Sequence, residues 1–237
     1  MGYSNVFKGL LGIVLFSFLF FSPTSLNIYA NTSVSSNLTV SYQFEQYSKD
    51  LYRQCQLSQK KMKYEVFKHA LVGYYNMLQK GQIQAQKSTL SIVDFSKPSS
   101  HKRLYVVDIK KRKVLHYTYV SHGRNTGDLY ASKFSNTHQS LQSSLGFYKT
   151  AETYYGKHGY SLRLDGVEKG FNTNARDRAV VMHGADYVSS DYVRREGRLG
   201  RSWGCPAVPR EEAKPIINHV KGGNCLFVYK NTNNFIT

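Results

Sequence analysis

Between residues 42 and 80 the apolar positions recur at helical spacing. Phe67, Ala70, Leu71, Tyr74 and Leu78 fall at i, i+3, i+4, i+7 and i+11, one face of a helix, and Gly81 is a fitting stop. An earlier helix is predicted from Phe44 to about Leu57. An aromatic stripe at this spacing reads as core. Residues 31–41, NTSVSSNLTVS, are small and polar and read as a loose leader. After Ser88 the texture changes to short β-type runs: LSIVDF, RLYVVDI, VLHYTYV, GFYKTAETYYG, YSLRLDG and RAVVMHG, separated by Gly, Asn, Asp and Ser. The charged KKRK between the second and third runs reads as a hairpin tip. Two late helical pieces, SSDYVRREG and PREEAKPIINHV, precede a closing strand, NCLFVYK. Ala213, Ile216, Ile217 and Val220 share one face of the second piece.

The first thirty residues depart from both patterns. Lys8 precedes the apolar run GLLGIVLFSFLFF, and SLNIYA follows it, with Ala30 a fitting last residue before cleavage. The run is short for a membrane span, so a signal peptide is expected, with an uncleaved anchor as the alternative. The predicted organisation is a signal peptide over 1–30 and a leader with helical segment over 31–88. A mostly β domain of catalytic size follows over 89–230, then a tail over 231–237. No stable membrane span is expected after cleavage, and the chain is expected in the periplasm or cell envelope.

The chain carries 32 Lys and Arg against 15 Asp and Glu, a formal charge of +17, and loss of the signal removes only Lys8. Such a charge favours polyanions. For an exported chain these are anionic envelope polymers rather than nucleic acid, and no nucleic-acid partner is expected. A basic surface that only aids solubility is the bland reading. Three cysteines in an exported protein leave at least one unpaired. Cys55 and Cys225 either form a disulfide or are small buried apolar residues. Cys205 is then the natural free thiol.

Cys205 lies in GRLGRSWGCPAVP, 22 residues after His183 at the end of RAVVMHG. A histidine at a strand end and a cysteine on a glycine-flanked loop suit a base and a nucleophile brought together in space. A free thiol titrates near ~8.5, and a neighbouring imidazole that takes its proton leaves a reactive thiolate–imidazolium pair. Gly204 lets backbone approach a substrate closely. The N–H groups of Trp203, Gly204 and Cys205 are candidates to face a developing oxyanion. Taken singly, a strand-end His is more often structural and a lone Cys more often inert.

The pair His183-Gly184 and Ser202-Trp203-Gly204-Cys205 resembles the signature of the YkuD-type L,D-transpeptidases, a His, a spacer, then Ser/Thr-His-Gly-Cys. The 18 intervening residues fit the family spacer. More closely, the chain resembles the murein L,D-transpeptidase catalytic-domain branch over roughly Leu90 to Tyr229. The resemblance rests on RLYVVD, SHGRNTGD, FSN, QSSLGFY, YYGKHGYSLRL, HGADYVS and GRLGRSWGCPAVP, in that order. It departs from the wider family at Trp203, where a histidine is usual, and at Pro206-Ala207-Val208, where an arginine is common. Arg201 or Arg198 is the positional candidate for that cation.

The resemblance implies a mostly β, YkuD-like sandwich or barrel with an N-terminal helical segment. It implies a cysteine enzyme acting on peptidoglycan stem peptides, with no cofactor and no metal. Cys205 would be the nucleophile and His183 the base, oriented by the Gly184 carbonyl, with Ser202 shaping the loop and Gly204 flanking the thiol. Trp203, Arg201, Tyr155, His158, Arg124 and Asn125 are candidates for contacting substrate, or for making turns and covering the core. Water in place of an acceptor amine would give an L,D-carboxypeptidase with the same machinery. The sequence does not fix the oligomeric state.

Three rivals remain. His158 and Asp165 have the His-x6-Asp spacing of a zinc peptidase, but no acid shortly before a second histidine completes it, and His101, His122 and His138 lack paired ligand spacing. A non-catalytic wall-binding module would use charge and aromatics equally well and gives no reason for Ser-Trp-Gly-Cys. A papain-like protease has the cysteine before the histidine, the reverse of the order here.

Overall fold

In the computed structural model, which describes residues 32–231, two helices precede an eight-stranded sheet. The expected signal peptide and all of the expected tail except Asn231 lie outside the described residues. Helix α1 spans Thr32–Gln54 and α2 spans Tyr64–Gln79. The strands are β1 Thr89–Asp94, β2 Leu104–Asp108, β3 Lys113–Thr118, β4 Gly146–Gly156, β5 Gly159–Gly166, β6 Val181–Ala185, β7 Ala207–Pro209 and β8 Cys225–Tyr229. Helix α3, Ser190–Glu196, follows β6, and α4, Arg210–Val220, follows β7. Among the described residues no helix is long and apolar enough to cross a membrane.

The sheet order is β3-β2-β1-β8-β4-β5-β6-β7, with β1–β8 and β6–β7 parallel and the other pairs antiparallel. Beyond β7, the Ser121 N–H donates to the Ala207 carbonyl, and Gly123 bridges Ser202. The chain leaving β3 therefore closes on β7, giving a mostly β, barrel-like body with helices at its N-terminal end.

Alternation along the central strands sorts two cores. Leu90 and Ile92, Tyr105 and Val107, and Cys225, Phe227 and Tyr229 face α1 and α2. Val93, Leu104, Val106, Leu226 and Val228 face the other way, onto Ile216, Ile217 and Val220 of α4. With both faces covered, these strands read as continuous apolar runs rather than as alternating ones. The helical segment shares its core with the sheet through Phe44, Leu51, Phe67, Leu71 and Met77. Each such side chain contributes about 2 kcal/mol by leaving water. Gly73 is required in α2, because a Cβ there would stand 1.9 Å from Cζ of Phe147, whose ring stacks on Phe227. Cys55 and Cys225 are buried and unbridged, the latter thiol donating to Sδ of Met77 at 3.6 Å. Of the two readings of these cysteines, the small apolar one holds. Helix α1 begins at Thr32, inside the stretch read as a loose leader. Weak helix propensities of a few tenths of a kcal/mol per residue do not stop a helix already anchored by its packed C-terminal half.

Candidate active site

Strand β6 carries His183, and β7 runs parallel beside it with Ala207 opposite His183. Two residues before Ala207, Cys205 therefore lies alongside Val181, and the Val181 N–H donates to Cys205 Sγ at 3.4 Å. The thiol in turn points to the Ala179 carbonyl at 3.7 Å. Ala179 has φ +52°, a left-handed conformation that is uncommon outside glycine and costs on the order of 1 kcal/mol. Among the described residues no hydrogen bond joins Sγ to the His183 ring.

The Cys205 loop is braced from within by Ser202. Its Oγ donates to the Cys205 carbonyl at 2.6 Å and accepts from the Gly204 N–H at 3.1 Å. The Ser202 N–H donates to the His122 carbonyl, and the Arg124 N–H donates to the Ser202 carbonyl. Of the three N–H groups expected to face an oxyanion, that of Gly204 is thus occupied, which corrects that expectation. Those of Trp203 and Cys205 have no partner among the described residues. Gly204 has φ +122°, and a Cβ there would lie 2.8 Å from the Gln142 carbonyl oxygen.

A second brace comes from loop 135–144. Ser143 Oγ donates to the Gly204 carbonyl at 3.1 Å and accepts from the Gly123 N–H at 3.0 Å. The guanidinium of Arg178 donates to the Ser135 carbonyl, Ser144 Oγ, Ser140 Oγ and the Gln142 carbonyl at 2.5–3.2 Å. Arg178 is also the cation whose field bears most on the Cys205 thiol.

His183 is 2% exposed. Its Nδ1 lies 3.0 Å from the Gly184 carbonyl oxygen. A carbonyl only accepts, so Nδ1 carries the proton and Nε2 presents a lone pair. One ring face is covered by His158, with centroids 4.2 Å apart and planes 20° apart. Burial pushes the His183 imidazole down to about 4, assisted by His158, Arg210 and Lys157 and opposed by the Gly184 hydrogen bond. Burial also raises the Cys205 thiol, against the Val181 N–H, Arg178 and Lys157. Both shifts favour a neutral thiol beside a neutral imidazole, not the resting thiolate–imidazolium pair expected from sequence.

The structure gathers Cys205, His183, Gly184, Ser202, Gly204, Trp203 and His158. His158 arrives on the β4–β5 hairpin, whose two-residue tip, Lys157-His158, lies between the paired Gly156 and Gly159. Tyr155, on the same hairpin, is 76% exposed and packs on Tyr160. Arg124 reaches the loop through its backbone, and Asn125 Nδ2 donates to the Ser140 carbonyl. Arg201 is turned to Asp128 and the Gly127 carbonyl, and Arg198 also pairs with Asp128. The cation beside the cysteine is accordingly Arg178, not either positional candidate. Asp165 is paired with Arg176 while His158 lies on His183, so the His-x6-Asp spacing does not converge on one site. Among the described residues no three His, Cys, Asp or Glu side chains cluster as metal ligands. Sequence reasoning missed Arg178, Ser143 and Lys157. Arg178 had a faint signal, a charge three residues ahead of the strand bearing the histidine.

Residues 58–229 match the family model described as the L,D-transpeptidase catalytic domain. No curated protein matches the chain. Similar solved structures include an L,D-transpeptidase from Mycobacterium smegmatis, 14% identical, covering 60% of this chain and 59% of that one with a TM-score of 0.38. An L,D-transpeptidase from Mycobacterium tuberculosis H37Rv is 15% identical over 60% and 58%, with a TM-score of 0.39. The helical cell shape determining protein Pgp2 from Campylobacter jejuni is 12% identical over 67% and 55%, with a TM-score of 0.40. The chain spans less than two thirds of the length of each of these structures.

Proposed function

Because the chain belongs to the L,D-transpeptidase catalytic-domain family, we propose that it is an exported enzyme that cross-links peptidoglycan stem peptides through a thioester on Cys205. The observation that carries this reading is the Nδ1–Gly184 hydrogen bond, which leaves Nε2 of a buried, neutral His183 free to accept a proton.

In this reading a donor tetrapeptide places the carbonyl of its third residue against Sγ. Nε2 takes the thiol proton as the C–S bond forms. The oxyanion lies against the N–H groups of Trp203 and Cys205. One donor of this kind is worth ~3 kcal/mol of barrier. The bond to the terminal D-alanine then breaks, and the departing amine takes the proton back from His183. An amine of a second stem attacks the thioester carbonyl, the C–S bond breaks, and the amine's proton passes through His183 to the thiolate.

The neutral resting pair fits this sequence, because proton transfer is then coupled to attack rather than completed beforehand. The test is to incubate the protein and its Cys205→Ala variant with a disaccharide-tetrapeptide and weigh the products. A Cys205-dependent dimer lacking one D-alanine is expected. Tripeptide without dimer would assign the hydrolytic outcome, an L,D-carboxypeptidase. No turnover would favour a wall-binding module.

A further inference from the structure

The β4–β5 hairpin touches the site at two points. One is His158 on His183. The other is Lys157, whose Nζ sits 4.9 Å from the centroid of the Trp203 ring. Trp203 is 66% exposed and lies two residues from the nucleophile. Holding an ammonium over an indole fixes a positive charge at the mouth of the site while its outward N–H groups stay available.

Four neighbouring cations are engaged elsewhere. Arg201 and Arg198 pair with Asp128, Arg210 pairs with Asp186, and Arg178 is bonded to four oxygens of loop 135–144. Among the described residues no carboxylate pairs with Lys157. Its field nonetheless reaches both Cys205 and His183. An unpaired cation held over a ring two residues from Cys205 would favour an anionic group next to the scissile bond.

We propose that Lys157, held over Trp203, is a specificity residue that binds a carboxylate of the donor stem. The proposal rests on the L,D-transpeptidase reading for the identity of that donor. There the terminal D-alanine carboxylate lies one residue beyond the attacked carbonyl. A carboxylate on the third residue's own side chain is the other source of the same chemistry.

Two measurements test it. The first needs no turnover: alkylation of Cys205 by anionic iodoacetate against neutral iodoacetamide, each thiolate displacing iodide. Cys55 and Cys225 are buried, so the rate reports Cys205. The iodoacetate-to-iodoacetamide rate ratio is expected to fall about fivefold in Lys157→Gln and further in Lys157→Glu, with the wild-type ratio shrinking as salt is raised. An unchanged ratio overturns the proposal.

The second compares three donors: the free tetrapeptide, its C-terminal amide, and an analogue with lysine at the third position in place of a carboxylated diamino acid. Lys157→Gln is expected to raise KM about tenfold for the free tetrapeptide. It should leave KM unchanged for whichever analogue lacks the recognised carboxylate, which identifies the source. An equal effect on all three donors overturns the proposal. If wild type turns over none of them, the functional reading fails, and the alkylation ratio still decides whether Lys157 selects anions.

Discussion

The His158 imidazole lies flat on the His183 imidazole, 4.2 Å between centroids and 20° between planes. Two imidazolium rings cannot hold that spacing without strong repulsion, so the stack favours the neutral form of both. His158 itself is held below its ordinary value by burial, with Lys157 and Arg210 contributing.

The first consequence is kinetic. With the imidazole lowered to about 4 and the thiol raised, the resting pair is neutral at pH 7. Alkylation of Cys205 by iodoacetamide should rise through a single transition above the ordinary thiol value of about 8.5. A rate plateau between about pH 5 and 7, as thiolate–imidazolium pairs give, would contradict this.

The second concerns acid stability. His183 and His122 are both buried and both lowered to about 4. Below the unfolded value of ~6.5 the unfolded chain binds protons that the folded one refuses, so stability rises with pH in this window. Each group therefore contributes stability that is full above about pH 6.5 and is lost towards pH 4, on the order of 3 kcal/mol. Urea unfolding at pH 7 and 4.5 should show a smaller loss for His183→Gln than for wild type. Equal losses would mean that His183 titrates normally.

Ser202→Ala removes the hydroxyl that ties the Gly204 N–H to the Cys205 carbonyl. Leaving these backbone groups without their partner costs about 1–3 kcal/mol. The thermal midpoint should fall, and kcat/KM should drop about 10- to 100-fold because the Cys205 loop loses its brace. Gly204→Ala should be worse on both counts, since its φ of +122° and the nearby Gln142 carbonyl leave no room for a methyl group.

Arg178→Met should cut activity and stability together, because four oxygens of loop 135–144 lose their donor. Arg178→Lys should not restore activity, since a single ammonium cannot reproduce the planar fork. Full activity in Arg178→Lys would mean that the positive charge alone suffices.

The fold was largely legible because β1, β2 and β8 are buried on both faces and stand out as dense apolar runs. RLYVVDI and VLHYTYV flank KKRK as β2 and β3, while NCLFVYK, the last strand in the chain, lies inside the sheet as β8, between β1 and β4. β7 was not legible: it has three residues, ends in Pro209, and is defined by its pairing with β6. On α2 the burial stripe takes Met77 and leaves Leu78 only half-buried, because the packed face is set by the sheet beneath it. The Cys205 loop could be read from its own residues. Arg178, Ser143 and Lys157 could not, because each acts across a contact between loops distant in sequence.

The most direct test of the central claim is the intact mass of the protein after exposure to donor tetrapeptide without acceptor. A covalent adduct equal to the donor less D-alanine is expected. It should be absent in Cys205→Ala, formed at least about 100-fold more slowly in His183→Ala, and released by an added amine. Release of D-alanine by Cys205→Ala at the wild-type rate would contradict it.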